Sequence, residues 1–202
     1  LGEALAGLDL QRPVVLGIPR GGVVVGRVVA DRLAAPLDVV VPRKIRAPHN
    51  PELGLGAVAP GVTFLDEDLI ATLRVPQAYL DGEVDAELRE VERRSTLYRA
   101  GRPGVDPTGR TAVIVDDGIA TGGTAIAALL WARAHEIARV IMAAPVAPST
   151  VRARLEPYAD DIVILSEPDV FYAVGQFYRD FTQVSDDEVV RQMSEAASRR
   201  AS

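Results

Sequence analysis

The strongest constraint on the fold is a series of short apolar runs, rich in valine and isoleucine, that recur between longer helix-like segments. Five of these runs predict strands: Val14–Ile18, Asp38–Val41, Ala112–Val115, Val140–Ala144 and Ile162–Leu165. Near-continuous apolar strands indicate a sheet that is covered on both faces, and strands that alternate with helices indicate parallel pairing. The sequence therefore predicts an α/β fold with a central, mostly parallel sheet of about five strands and helices on both faces.

The segments between these strands carry helical patterns. Apolar residues recur at helical spacing in the longest of them, and Ser185–Glu188 has the pattern of a capping box before a final helix. We predict helices over residues 23–33, 66–73, 76–98, 125–134 and 149–155. Residues 43–61 are rich in proline and glycine and predict a long loop or loose hairpin, with Leu55–Val58 extended and a short strand at Thr63–Leu65.

Composition excludes several classes of protein. The chain has 202 residues, which indicates a single domain, and a net charge of −6, which disfavours a broad nucleic-acid-binding face. It has no cysteine and two histidines, so disulfides, thiolate zinc sites and histidine-rich metal sites are excluded. No apolar stretch is long enough for a membrane span, and the first residues lack a basic segment typical of a signal peptide, so we expect a cytoplasmic protein. Leu1 is not a methionine, which leaves open whether the native N-terminus is present.

Ligands of parallel sheets bind beyond the carboxyl ends of the strands, and the most informative motif lies at such an end. Residues 113–125 read VIVDDGIATGGTA: a buried strand, the acid pair Asp116 and Asp117, and a glycine-rich loop that opens a helix. Glycines let backbone N–H groups approach a ligand closely, and the helix N-terminus favours a phosphate. Carboxylates suit a polyol or a hydrated metal instead. The loop is therefore typical of a site for a ribose 5-phosphate.

Other interpretations of this motif are weaker. The acid pair alone would also fit a Mg2+-binding strand end or a helix start. A P-loop is excluded because no Gly-Lys-Ser/Thr follows. Residues 54–59 match a dinucleotide fingerprint by letter, but no clear strand precedes them and no clear helix follows them, so we regard the match as chance.

The motif resembles the phosphoribosyl pyrophosphate signature of type I phosphoribosyltransferases, and the similarity extends over about residues 12–182. The resemblance implies a five-stranded parallel sheet with a C-terminal hood over the base site. It implies that Asp116 and Asp117 bind the ribose hydroxyls. The residues implied to hold the 5-phosphate are Ile119, Ala120, Thr121, Gly122, Gly123 and Thr124. Residues 1–202 would then form one domain, with a flexible lid at about 42–62 and a hood at about 166–182 that is completed by the C-terminal helix.

A second motif, Gly17–Gly22, follows the first strand and places Arg20 before two glycines. A tight turn with a surface arginine is the commoner explanation for such residues alone. Arginine beside bare N–H groups also suits an anion. The resemblance implies that Arg20, Gly21 and Gly22 form the pyrophosphate-binding loop.

A third motif, Pro42–Pro51, carries Arg43, Lys44 and Arg46 within four residues of an acidic chain. A solvated linker is one interpretation, and an active-site lid is the other. The resemblance implies a loop that closes over pyrophosphate, where Arg43, Lys44 and Arg46 could neutralise the leaving group. Arg43 and Lys44 are the implied pyrophosphate ligands, and Lys44 is an implied catalytic residue beside Arg20, Asp116 and Asp117. His49 could move a proton, although a lone histidine in a loop is more often only exposed.

The fourth segment, Glu167–Phe181, follows the last predicted strand and carries five aromatic residues. They could form a small satellite core. The resemblance implies the hood instead, with Phe171 or Tyr172 stacked on a planar base. One departure concerns Ala120, since 6-oxopurine enzymes have a proton-exchanging aspartate at the third position after the acid pair. Hypoxanthine and guanine are therefore disfavoured as acceptors.

The resemblance implies an enzyme that moves the ribosyl 5-phosphate group of phosphoribosyl pyrophosphate to a nitrogenous base and releases pyrophosphate. It implies Mg2+ as cofactor, although no residue is assigned as a certain metal ligand, and a possible homodimer without nucleic-acid or membrane partners. The alternative is a non-catalytic protein of the same fold that senses phosphoribosyl pyrophosphate or a nucleotide. A Mg2+-dependent phosphohydrolase is a more distant alternative, because no second acidic cluster or nucleophile is evident at a neighbouring strand end.

Overall fold

Two sheets and the helices around them make up the described chain. The computed structural model describes residues 1–201, except the side chains of residues 51, 52, 200 and 201. Its strands are β1 (Val14–Gly17), β2 (Leu37–Val39), β3 (Arg43–Ala47), β4 (Asn50–Ala59), β5 (Val62–Leu65), β6 (Thr111–Val115), β7 (Arg139–Val146) and β8 (Asp161–Ser166). Its helices are α1 (Gly2–Ala6), α2 (Gly21–Leu33), α3 (Glu67–Leu73), α4 (Gln77–Arg99), α5 (Gly123–Arg133), α6 (Ser149–Leu155) and α7 (Asp186–Ala201), with a 3-10 turn at Val174–Phe177.

The larger sheet has five parallel strands in the order β2-β1-β6-β7-β8, which confirms the predicted fold class. Alternate residues of each strand enter two different cores. Val14, Leu16 and Ile114 pack towards α5 and α6, whereas Val15 and Val113 pack towards α2 and α7. Both faces are thus covered, which explains why the strands consist of almost uninterrupted apolar residues.

The strand order reverses direction between β1 and β6. From β1 the chain crosses to β2 on one side, and the later strands β6, β7 and β8 are added on the other side. The connections that leave the carboxyl ends of β1 and β6 therefore diverge and leave a crevice between them. This crevice is where a ligand of such a sheet is expected.

The smaller sheet is antiparallel, in the order β3-β4-β5. The region predicted as a long loop or loose hairpin is a hairpin, with irregular pairing after Ile45 and after Arg46, and the predicted short strand pairs with it as β5. Ile45 and Leu55 are buried against Leu80 and Val91 of α4. The basic segment of the third motif thus has secondary structure and a small core of its own.

The C-terminal helix α7 packs over α2 through Val189 and Met193. Its predicted capping box is made in one direction. The Glu188 N–H donates to Ser185 Oγ at 3.1 Å, but the Glu188 carboxylate accepts from Arg191 and Gln192 instead of returning to the cap. No helix within residues 1–201 combines the length and the apolar composition that a bilayer crossing requires.

Candidate functional site

The first residues after β1 and β6 lie against each other at the base of the crevice, before the two connections diverge. A Cβ built on Gly22 would lie 2.5 Å from the Val115 carbonyl oxygen and 2.9 Å from Asp116 Cα, and a Cβ on Gly21 would overlap the Asp117 carboxylate. Only glycine fits at either position without a shift of its neighbours. The structure therefore joins two motifs that are about a hundred residues apart in the sequence.

The acid pair is enclosed at the end of β6. The Asp117 N–H donates to Asp116 Oδ1 at 2.9 Å. Burial raises the pKa of Asp116 well above its usual value, and the Asp117 charge raises it further. Burial also raises the pKa of Asp117. Neither carboxylate forms an ion pair with another described residue, so a ligand that donates hydrogen bonds, or a cation, would relieve the unfavourable burial of charge.

The loop after the acid pair is held in place at its two ends. The buried Ile119 donates its N–H to the Val146 carbonyl oxygen at 3.0 Å. Gly122 adopts a positive φ of 85° and is the N-cap of α5, whose first N–H groups have no acceptor within the helix. Arg154 of α6 donates to the Thr121 carbonyl oxygen at 2.5 Å and adds a cation beside the loop. These free amides and this cation suit an anion.

Arg20 lies at the other side of the crevice, at the start of α2. The peptide bond between Pro19 and Arg20 is cis. Arg20 Nη1 lies 3.8 Å from Asp186 Oδ1 of α7, and both side chains are partly exposed. Arg20 and Gly21 also line a cavity of about 650 Å³ together with Asp117. The predicted pyrophosphate loop thus borders the predicted sugar site.

Two basic residues of the small sheet contact an acidic residue of α4. Arg43 donates from Nε to Glu87 Oε2 of α4 at 2.7 Å, and Glu87 is only 7% exposed. Arg46 Nη1 lies 3.6 Å from the same carboxylate. The stem of Lys44 lies along Gly54, and the exposed His49 sits in the turn between β3 and β4. In this conformation Arg43 is therefore engaged with α4, and its predicted contact with pyrophosphate stays a prediction.

The aromatic residues of Glu167–Phe181 lie partly on the surface and partly in the cavity beside Asp117. Phe171 stacks on Phe177 with ring centroids 5.4 Å apart, and Tyr172 is 88% exposed. Neither is among the described residues that line the cavity beside Asp117, which has Tyr178 and Phe181 opposite Val24 and Val25 of α2. The predicted stacking of a base on Phe171 or Tyr172 stays a prediction, and the cavity adds Tyr178 and Phe181 as candidates.

Tyr178 is a contact that sequence reasoning missed. Its hydroxyl donates to the Asp117 carbonyl oxygen at 2.6 Å. Burial, with the nearby charges of Asp117 and Asp116, raises the pKa of Tyr178 to about 12, so the hydroxyl stays protonated and remains a donor. A half-buried tyrosine requires a partner, but nothing in the sequence shows which partner it finds.

The comparisons with known proteins agree with this geometry. A family model described as phosphoribosyl transferase domain matches residues 2–182. The chain belongs to this family. The "Putative phosphoribosyl transferase" proteins MT0597 and Rv0571c of two Mycobacterium tuberculosis strains are 49% identical to it over 191 residues, which cover 94% of this chain and 43% of each relative. This phosphoribosyl transferase domain thus spans less than half the length of the curated relatives it matches.

Two solved structures resemble the domain. The crystal structure of TT1426 from Thermus thermophilus is 44% identical, with a TM-score of 0.83, and covers 96% of this chain and 92% of that chain. A hypothetical protein from Neisseria gonorrhoeae with bound ppGpp is 12% identical, with a TM-score of 0.50 over 96% of this chain and 87% of that chain, and shares the fold alone.

The donor set of the phosphoribosyl transferase domain fits a weakly held cation. Among the described residues no group of three or more histidine or acidic side chains could enclose a metal ion. Asp116 and Asp117 supply two partly buried carboxylates whose raised pKa values would return towards normal beside a positive charge. A hydrated Mg2+ would fit here only if water and the substrate supplied most of its oxygen ligands.

Proposed function

We propose that this domain transfers the 5-phosphoribosyl group from phosphoribosyl pyrophosphate to a ring nitrogen of a nitrogenous base and releases pyrophosphate. The observation that carries the proposal is the contact between the two strand-end loops, where Gly21 packs on Asp117 and Gly22 packs on the end of β6. A sugar with phosphate groups at both ends requires two anion sites on either side of a polyol site. The position of Gly21 and Gly22 against the acid pair, and of the start of α5 directly after the pair in the chain, supports this assignment.

The acid pair would hold the sugar. Asp116 and Asp117 accept hydrogen bonds from the ribose 2′- and 3′-hydroxyls, and the residues 119–124 hold the 5-phosphate through their amides and the threonine hydroxyls. The free amides at the start of α5 and the cation of Arg154 support this role. The two partly buried carboxylates also offset positive charge that develops on the sugar ring in the transition state.

The leaving group would bind on the β1 side. The amides of Gly21 and Gly22 and the guanidinium of Arg20 stabilise the departing pyrophosphate, and Lys44 is proposed to join them from the small sheet. The bond from C1 to the pyrophosphate oxygen breaks as the bond from C1 to the acceptor nitrogen forms, with inversion at C1. The nitrogen-bound proton passes to solvent. When bound, Mg2+ would supply positive charge to the pyrophosphate and sugar oxygens.

The acceptor would enter the cavity of about 650 Å³ beside Asp117. Tyr178, Phe181 and the valines of α2 offer apolar contacts to a planar ring, and Thr182 and Gln183 offer polar contacts at its edge. Ala120 is exposed and brings no carboxylate to the site, which supports an acceptor other than a 6-oxopurine. A cytoplasmic location and a homodimer are predicted as well and await measurement.

The test is release of pyrophosphate from phosphoribosyl pyrophosphate and Mg2+ with a panel of purine, pyrimidine and pyridine bases. We expect release that depends on one class of base and on the sugar diphosphate. Binding of phosphoribosyl pyrophosphate in calorimetry without release by any base would favour the sensor instead. The engagement of Arg43 with Glu87 is the observation that keeps this alternative in view. Absence of both binding and release would refute the proposal.

A further inference from the structure

The acidic start of α7 contacts the predicted pyrophosphate loop. Asp186, the first residue of α7, lies with Oδ1 at 3.8 Å from Arg20 Nη1. The capping pattern Ser185–Glu188 explains why acids occur here, but it does not explain why one of them faces Arg20. Within the same cluster Asp187 is exposed, and it forms no ion pair with a described residue. The two neighbouring aspartates therefore differ in what they contact.

The position of Asp186 is fixed by a hydrogen bond from α4. The hydroxyl of Tyr98, which is fully buried in α4, donates to Asp186 Oδ1 at 2.8 Å. The start of α7 is held in turn by the packing of Val189 in the core. Arg20, by contrast, reaches Asp186 through one nitrogen at a distance too long for a hydrogen bond. Asp186 is thus the more firmly held partner of this pair, because it accepts the Tyr98 hydrogen bond whereas its contact with Arg20 is long.

Arg20 stands between two cavities. The cavity of about 650 Å³ contains Asp117, and a smaller one of about 330 Å³ contains Asp186 and Asp187. Arg20, Gln183 and Val184 line both. The guanidinium therefore has an acidic partner on the α7 side, while Arg20 also lines the cavity that contains Gly21 and Asp117.

We propose that Asp186 is a positioning residue, which holds Arg20 against α7 while the pyrophosphate site is empty and competes with pyrophosphate for the same guanidinium. This inference rests on the proposed function. A partly exposed pair at 3.8 Å is weak, so a multiply charged diphosphate displaces it readily. Asp186 therefore lowers the affinity of the site for pyrophosphate, which favours release of this product.

The experiment is calorimetric titration of the chain with pyrophosphate in the presence of Mg2+. Asp186→Asn keeps an oxygen for the Tyr98 hydroxyl and removes the competing charge, so we expect pyrophosphate to bind about two- to fivefold more tightly. Asp187→Asn makes the same change of charge one residue away and is expected to leave the affinity within about 1.5-fold of the unaltered chain. Thermal unfolding of both variants checks that α7 stays in place.

A double-mutant cycle separates competition for Arg20 from simple repulsion of the anion. In an Arg20→Gln background, Asp186→Asn should have little further effect if Asp186 acts through Arg20. An equal tightening in both backgrounds, unchanged affinity, or weaker binding of pyrophosphate by Asp186→Asn would overturn the inference and leave the proposed function intact. Failure of the unaltered chain to bind pyrophosphate or phosphoribosyl pyrophosphate would instead overturn both.

Discussion

The two sheets of this molecule place their charged side chains in different settings. At the carboxyl end of β6 in the parallel sheet, Asp116 and Asp117 are partly buried and form no ion pair with a described residue, and burial raises both pKa values. In the antiparallel sheet, Arg43 lies within β3 and is matched by the buried Glu87 of α4. Charge that is already paired serves the fold, whereas charge that is enclosed and unpaired is available to a ligand.

The largest expected effect concerns the acid pair. Asp117→Asn should lower the rate of pyrophosphate release at least about 100-fold, because it removes a charge that orients the sugar and stabilises the transition state. Steady-state kinetics with the best acceptor base measures this. Asp169→Asn, an exposed change in the hood, serves as the control. Near-normal turnover in Asp117→Asn would remove the assignment of this loop.

In the small sheet the expected effect is on stability. Glu87→Gln should lower the free energy of unfolding by about 2 kcal/mol, less than for a fully buried pair because Arg43 keeps part of its surface in water. Urea unfolding measures the loss, with Glu92→Gln as an exposed control on the same helix. Arg43→Gln should be destabilising as well. If Arg43→Gln instead lowered turnover as strongly as Asp117→Asn, the small sheet would belong to the catalytic site and the contrast between the sheets would fail.

A smaller effect follows from the raised pKa of Asp116. The folded chain holds this proton more tightly than the unfolded chain, so ionisation of Asp116 lowers the stability as pH rises through the folded-state pKa. Asp116→Asn should therefore raise the unfolding temperature at pH 7 by about 2 °C or more. The difference should shrink towards acid, where Asp116 is protonated in both states. Scanning calorimetry from pH 4 to 7 measures this difference, with Asp85→Asn as an exposed control. A lower unfolding temperature of Asp116→Asn at pH 7 would show that the ionised Asp116 stabilises the fold and would contradict the prediction.

The smallest effect is expected at Arg154, whose exposed side chain donates to the Thr121 carbonyl oxygen of the proposed phosphate loop. Arg154→Gln should weaken the binding of phosphoribosyl pyrophosphate about two- to threefold, and the loss should diminish at high salt. Calorimetry at two ionic strengths measures both, with Arg199→Gln as the control for a lost surface charge. A loss that does not depend on salt would indicate that Arg154 shapes the loop rather than attracting the phosphate.

The parallel sheet was predictable because its signal is local. Strands that are buried on both faces consist of valine, isoleucine and alanine, and the predicted run Ala112–Val115 differs from β6 by one residue. The two strand-end loops were predictable for a related reason, since parallel strands bring their carboxyl ends to one edge of the sheet. The glycines Gly21 and Gly22, which occupy positions with no room for a side chain, were also visible in the sequence as part of the second motif.

The small sheet was only partly predictable. β3 and β4 contain a proline, two glycines and three cations, which are uncommon in strands, and their pairing is irregular after Ile45 and Arg46. They pack against α4 and α5, both of which come later in the chain. The partners of individual site residues are equally remote: Arg43 and Glu87 are 44 positions apart, and Tyr178 and Asp117 are 61 apart. No short pattern encodes such pairs.

Gly118 allows the loop after β6 and the 3-10 turn at Val174–Phe177 to pack closely against each other. A Cβ on Gly118, the residue directly after the acid pair, would overlap the side chain of Val174 in the 3-10 turn of the hood. A bulkier residue at 118 is therefore compatible with this packing only if 174 shrinks at the same time. Among natural variants of this chain these two positions should change together, and a larger residue at 118 alone would push the 3-10 turn away from the acid pair.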